Sequence, residues 1–148
     1  MRIEITAMPF QPWREVADYE SLVSAQHSGK SGACATFVGT MRDFNDGDDV
    51  SGMSLEHYPE MTEKHLERIC GEAMQRWELL DYLIIHRVGD LKPNDPIVLV
   101  AVWSSHRKEA FEACRFIMED LKSRAPFWKK ERLNDGNSRW VEKNTDGY

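Results

Sequence analysis

The sequence predicts an α+β fold with a largely antiparallel sheet and about three helices. Three observations carry that expectation. Strand-like runs come in pairs and do not alternate strictly with helical segments. Three other segments place apolar residues at three- and four-residue spacing behind a Pro or Ser start. The longest unbroken apolar run, IVLVAVW at Ile97–Trp103, is seven residues long. It is far too short to span a bilayer, which takes about 20 residues, and suits a central strand covered on both faces.

Taken in order, Arg2–Thr6 reads as a first strand. A helix then starts near Pro12 and carries Trp13, Val16, Ala17 and Val23. Gly32–Val38 and Val50–His57 read as strands, separated by the acidic stretch Asp43–Asp49 (DFNDGDD), an exposed and mobile loop by composition. Pro59, a favoured first-turn residue, opens a second helix with Leu66, Ile69, Cys70, Ala73, Met74 and Trp77 on one stripe. Tyr82–Val88 and Ile97–Trp103 form a hairpin across the turn-rich segment Gly89–Pro96 (GDLKPNDP). Ser104 and Ser105 are natural caps for a third helix. Its stripe is Ala110, Phe111, Cys114, Ile117, Met118 and Leu121, and it ends before Pro126. Arg139–Glu142 adds a short edge strand.

A chain of 148 residues is one domain by size, 1–148, and buries enough surface to need no disulfide or metal staple. No basic start followed by an apolar stretch marks a secretory signal. The net charge is −6, which argues against a nucleic-acid tracking surface. The charge is uneven. Residues 104–132 hold eight Lys/Arg and five Asp/Glu, a local excess of three that leaves −9 elsewhere. A basic cluster on an acidic body suits a small anion better than a polymer. The cysteines, Cys34, Cys70 and Cys114, are odd in number and widely spaced, which points to packing residues in a reducing cytosol. The five histidines include no HExxH or close pair, so a metal site has no support.

The stretch SSHRKEAFEACRFIMEDLKSRAPFWKKE carries the chemistry. His106 and Arg107 fall in a first helical turn, where cations oppose the helix dipole and a bound phosphate offsets that penalty. Arg107 can equally point to solvent or meet an acid. Lys122 closes the helix and Lys129 follows the Pro126 break. Either lysine can be a solvated charge. The neighbouring Pro126, Phe127 and Trp128, and a second amine, would lower a lysine pKa and make it a nucleophile or proton carrier. Arg42, at the exit of the Gly32–Val38 strand, can reach the same anion. His57 and His86 lie in strands and read as core or interface histidines. Composition and spacing therefore yield an anion pocket of Arg42, His106, Arg107, Lys122 and Lys129, without naming the anion.

Six segments resemble the large, catalytic subunits of molybdopterin synthase: FVGTMRDFN (37–45), LEHYPEMTEK (55–64), IIHRVGDLKPND (84–95), SSHRKEAF (104–111), IMEDLKSRAPFWKKE (117–131) and RWVE (139–142). The resemblance implies a hammerhead-like, dimerising fold. It also implies a sulfurtransferase that converts precursor Z, a cyclic pyranopterin monophosphate, to molybdopterin for molybdenum cofactor biosynthesis. Two sulfurs would come from the C-terminal glycine thiocarboxylate of a small ubiquitin-like partner. A dimer of large subunits would form the centre of a heterotetramer, with no nucleic acid, membrane, metal or organic cofactor involved.

By the same resemblance Lys122 and Lys129 are the catalytic amines. Arg42, His106 and Arg107 hold the substrate phosphate. Thr40, Met41, Lys130 and Glu131 line the site, and Phe37, Met118, Pro126, Phe127 and Trp128 wall it. Part of the pocket comes from the neighbouring protomer in this family. The alternative is a non-catalytic module that holds a ubiquitin-like tail or a phosphorylated small molecule. Two lysines beside an aromatic-lined turn favour the enzyme, because a tail-holder needs only one anion clamp.

Overall fold

The computed structural model describes residues 1–142 and 147. The expected domain, 1–148, thus extends over residues 143–146 and 148, which lie outside the described residues. The elements are β1 (Arg2–Thr6), α1 (Pro12–Gln26), β2 (Ala33–Thr40), β3 (Phe44–Asn45), β4 (Asp48–His57) and α2 (Pro59–Arg76). They continue with β5 (Leu79–Arg87), β6 (Gly89–Leu91), β7 (Pro96–Ser104), α3 (Arg107–Ser123), β8 (Phe127–Leu133) and β9 (Ser138–Trp140).

The fold is α+β, as the sequence predicts, but its strands divide into two sheets. The first runs β1-β5-β7-β2; β1 lies parallel to β5 and the other pairs are antiparallel. The second runs β3-β4-β8-β9, with β6 also on β4, and all its pairs are antiparallel. β7 is central and buried along almost its whole length. Its side chains alternate between two cores. Val98, Val100 and Val102 face the larger one with α2, α3 and the second sheet, while Leu99, Ala101 and Trp103 pack with Tyr19 and Val23 of α1. That alternation explains why the run is apolar throughout.

Both Pro-initiated helices begin where expected, with Pro12 and Pro59 in the first turn. Three details differ from the sequence reading. The N-cap of α3 is His106, with Ser104 Oγ accepting the His106 N–H at 3.3 Å and donating to the Glu78 carbonyl at 2.7 Å. Trp13 and Phe111, assigned to apolar stripes, are exposed; α1 buries Pro12, Tyr19 and Val23 instead. Cys70 and Cys114 are buried, but Cys34 is exposed on the outer side of β2.

The segment between β5 and β7 does more than turn. Gly89, at φ 85°, redirects the chain so that β6 adds to β4 of the second sheet. The same connection ends at Asn94 and Asp95, which exchange backbone hydrogen bonds with Met41 at 2.8 and 2.9 Å. The exit of β2 is thereby fixed beside the second sheet. The segment after Pro126 is strand β8, not a turn, and pairs with β4 from Val50↔Leu133 to His57↔Phe127.

The acidic stretch 43–49 forms a tight hairpin. Asp46 and Gly47 both have positive φ, 50° and 80°, as a type I′ turn requires, and Phe44↔Asp49 and Asn45↔Asp48 pair across it. Among the described residues no helix is long and apolar enough to cross a membrane.

Candidate active site

The site lies where the two sheets meet the end of α3. A cavity of ≈ 170 Å³ is lined by Thr40, Met41 and Arg42 from the β2 exit, Phe44 and Asn45 from β3, and Lys122 from α3. Met53, Ile97, Lys129, Glu131 and Val141 complete it. A smaller recess continues inward from Lys122 and Lys129 to His86, Met118 and Phe127.

Strand geometry selects which residues of FWKKE face inward. Phe127, Lys129 and Glu131 lie on the buried side of β8, and Trp128 and Lys130 lie on the outer side. The inward residues sit opposite His57, Leu55 and Met53 of β4. Trp128 packs edge-on against Tyr58, ring centres 4.8 Å apart, and the Lys130 ammonium lies 5.5 Å from the centre of the Trp140 ring. Pro126 supplies the break that ends α3 and lets the chain turn into β8.

The two amines line the same cavity, and the charge of Lys122 acts on Lys129. Lys129 has its pKa lowered from 10.5 to about 7, chiefly by burial and then by the neighbouring Lys122 charge. Arg42 pushes in the same direction, and Glu131 opposes it. Glu131, 6% exposed, accepts from Asn45 Nδ2 and Arg139 Nε, each at 3.1 Å. Arg139 also donates to Asp48 at 2.7 Å and to the Asn45 carbonyl at 2.8 Å, so it ties the 44–49 hairpin to β8. Arg42 stacks over Phe44, its guanidinium carbon 4.8 Å from the ring centre. Three cationic side chains around one committed carboxylate make a cavity suited to an anion. An amine that titrates near neutral pH can take up and return a proton there.

His106 and Arg107 do not join this cavity within one chain. They are exposed at the start of α3, 16 and 15 residues from Lys122, with Arg107 about 22 Å away along the helix. Phe37 is 40% exposed and lines a separate groove with Phe111, Cys114 and Met118. Met118, 7% exposed, lies between that groove and the inner recess.

The sequence reading missed Phe44, Asn45, Met53, Ile97, Val141 and His86 as lining residues, and Arg139 as their tie. The Asp46-Gly47 pair is a hairpin signal that could have placed Phe44 and Asn45. His86 gave no such signal in an apolar strand.

The fold and site define a class: a two-sheet α+β protein with a paired-amine, anion-accepting cavity at a sheet junction. The family model described as MoaE protein matches residues 12–124, and the chain belongs to that family. It is 59% identical over 127 residues to a molybdopterin synthase catalytic subunit of Ralstonia nicotianae, covering 84% of this chain and 72% of that one. A crystal structure of molybdopterin synthase from Staphylococcus aureus superimposes with a TM-score of 0.81 at 33% identity, covering 95% of this chain and 98% of that one. A complex of subunits 1 and 2 of molybdopterin-converting factor from Helicobacter pylori shares the fold, with a TM-score of 0.79 at 20% identity and coverage of 97% and 92%.

Proposed function

We propose that this chain is the catalytic subunit of a molybdopterin synthase. It converts precursor Z to molybdopterin with sulfur from the C-terminal thiocarboxylate of a small ubiquitin-like partner, in the cytoplasm. The observation that carries this reading is Lys122 and Lys129 in one cavity with Arg42, with Lys129 held near neutral pKa, in a chain 59% identical to a catalytic subunit of that enzyme.

The roles follow the local physics. Lys122 meets the partner's C-terminal carbonyl and the reacting pterin carbon. Lys129, poised near neutral pKa, takes and returns the protons that acyl release and sulfur addition require. Arg42 holds the substrate phosphate through charge-assisted hydrogen bonds. Thr40, Met41 and Glu131 line the site on the same chain. The reactive sulfur arrives on the partner, so no cysteine of this chain is needed as a carrier.

His106 and Arg107 contribute to the phosphate site from a second copy of the chain, as do the outward residues Lys130, Trp128 and Phe37 where that copy packs. The cavity volume supports this reading. At ≈ 170 Å³ it falls below the roughly 300–1,000 Å³ of small-molecule sites, as expected of a site walled in part by another chain. Two copies at the centre with one small partner at each end make a heterotetramer.

The deciding experiment mixes the chain with thiocarboxylated partner and precursor Z and follows the pterin by mass. Gain of two sulfurs, lost in Lys122→Ala, is the expected result. Tight binding of the partner without a mass gain would make the chain a non-catalytic module.

A further inference from the structure

Asp120 is a buried carboxylate that the cavity does not use. Its side chain is 1% exposed, in the last turn of α3. Local rules disfavour it there twice. An acid near a helix C-terminus meets the negative end of the dipole, and a carboxylate taken out of water is costly unless paired. The pairing comes from two directions. Oδ1 lies 2.5 Å from Nε2 of His65 on α2, and Oδ2 lies 2.8 Å from Nη2 of Arg124, the residue that caps α3. Nδ1 of His65 is 3.1 Å from Nη2 of Arg68. A guanidinium only donates, so Nδ1 accepts and the Nε2 proton goes to Asp120.

The backbone of the same residue closes the helix. Its carbonyl accepts the N–H of Arg124 at 2.8 Å and that of Ala125 at 3.2 Å. Ala125 lines the inner recess, and its own carbonyl accepts the N–H of Phe127, the first residue of β8, at 2.8 Å. Asp120 thus joins three pieces: α2 through His65, the final turn of α3, and the chain that leaves for β8.

Lys122 follows two residues later. At about 100° per residue its side chain leaves α3 about 200° around from Asp120, toward the recess that it lines with Met118 and Leu121. A grip on one side of the helix therefore sets the rotation of the last turn, and with it the direction of the amine on the other side. An apolar contact at the same point would hold α2 against α3 but fix this rotation less sharply, because burial is non-directional.

We infer that His65 and Asp120 are positioning residues for Lys122: the His65–Asp120–Arg124 clamp fixes the last turn of α3 against α2 and so aims the Lys122 amine into the cavity.

The inference rests on the reading that Lys122 does the chemistry, and its test separates the two. His65→Leu removes the donor to Asp120; His65→Gln keeps an N–H donor there. In the assembled enzyme, His65→Leu should lower kcat by at least about 10-fold, with KM for precursor Z within about twofold of the parent because Arg42 is untouched, and His65→Gln should regain most of the loss. In a Lys122→Ala background, His65→Leu should change the residual turnover by less than about twofold, since the amine that the clamp aims is gone. The clamp's role is overturned by a folded His65→Leu with parental kcat, by a loss that lies in KM or that His65→Gln does not regain, or by a loss that adds in full to that of Lys122→Ala. Parental turnover in Lys122→Ala overturns the underlying reading instead.

Asp120→Asn serves if His65→Leu fails to fold. It keeps the shape and an oxygen acceptor for His65 but gives up the charge that strengthens both contacts. It should lower kcat by at least about threefold at unchanged KM and add nothing to Lys122→Ala. Parental kcat in this variant overturns the inference.

Discussion

Lys122 and Lys129 line one cavity, although one closes helix α3 and the other lies within strand β8. Two ammonium groups there repel, and together with burial this repulsion holds Lys129 below its ordinary value. Removing Lys122 therefore changes the titration of Lys129.

The first prediction concerns that coupling. Lys122→Ala should lower turnover by at least about 100-fold, the scale of a lost acid–base group, with folding and partner binding retained. The pKa of Lys129 should rise in the same variant, since the Lys122 charge lowers it. Isotope-edited NMR of the Lys129 amine measures this directly, and an unchanged titration would refute the coupling.

A second prediction concerns stability. Lys129 titrates near 7 in the native state against an ordinary 10.5. Between those values the unfolded chain binds more protons than the native one, so this residue makes stability rise with pH. Below about 7 the native state carries the full cost of a buried ammonium. Lys129→Met should be more stable than the parent at pH 6, with the gap shrinking toward pH 10, while its turnover collapses. Urea unfolding of both proteins across that range is the measurement; a gap that widens with pH would show the opposite linkage.

Arg139 supports a third. Its guanidinium joins Glu131, Asp48 and the Asn45 carbonyl, and thereby fastens the 44–49 hairpin over the cavity. Arg139→Ala should speed amide exchange at residues 43–49 by roughly 10-fold or more, consistent with the loss of charge-assisted bonds. It should also reduce turnover with the lysines intact. Exchange rates equal to the parent's would mean that the hairpin holds itself.

A fourth prediction tests sharing between copies. If one site uses Lys122 of one chain and Arg107 of another, co-refolded Lys122→Ala and Arg107→Ala proteins form mixed dimers with one intact site. Activity should return to about a quarter of wild type, the statistical yield for a two-fold dimer. No recovery, with mixed dimers present by mass, would place both residues in a single-chain site.

Much of the fold was legible because local rules dictated it. Pro12 and Pro59 set two helix starts, Pro126 forced the end of α3, and the unbroken run Ile97–Trp103 marked a strand with two covered faces. Strand β8 was not legible. FWKKERL has only two strongly apolar inward positions, Phe127 and Leu133, and its other inward residues are Lys129 and Glu131. A site strand that faces a polar cavity lacks the apolar alternation by which strands are recognised. The split into two sheets was hidden for a related reason. β6 is three residues long and is created by the positive φ of Gly89 and by its pairing with β4, a contact 34 to 38 residues away.

Charge pattern and motif were enough to pick out Arg42, Lys122 and Lys129, because an amine beside aromatic residues carries its chemistry in its identity. Tertiary structure decided what those amines are. Desolvation and mutual repulsion depend on distance and burial, which no linear spacing encodes, so only the packing of β8 against α3 could bring one lysine to a pKa near neutrality. The same packing turned Lys130 and Trp128 outward, left His106 and Arg107 a helix-length away, and set His86 behind the pair.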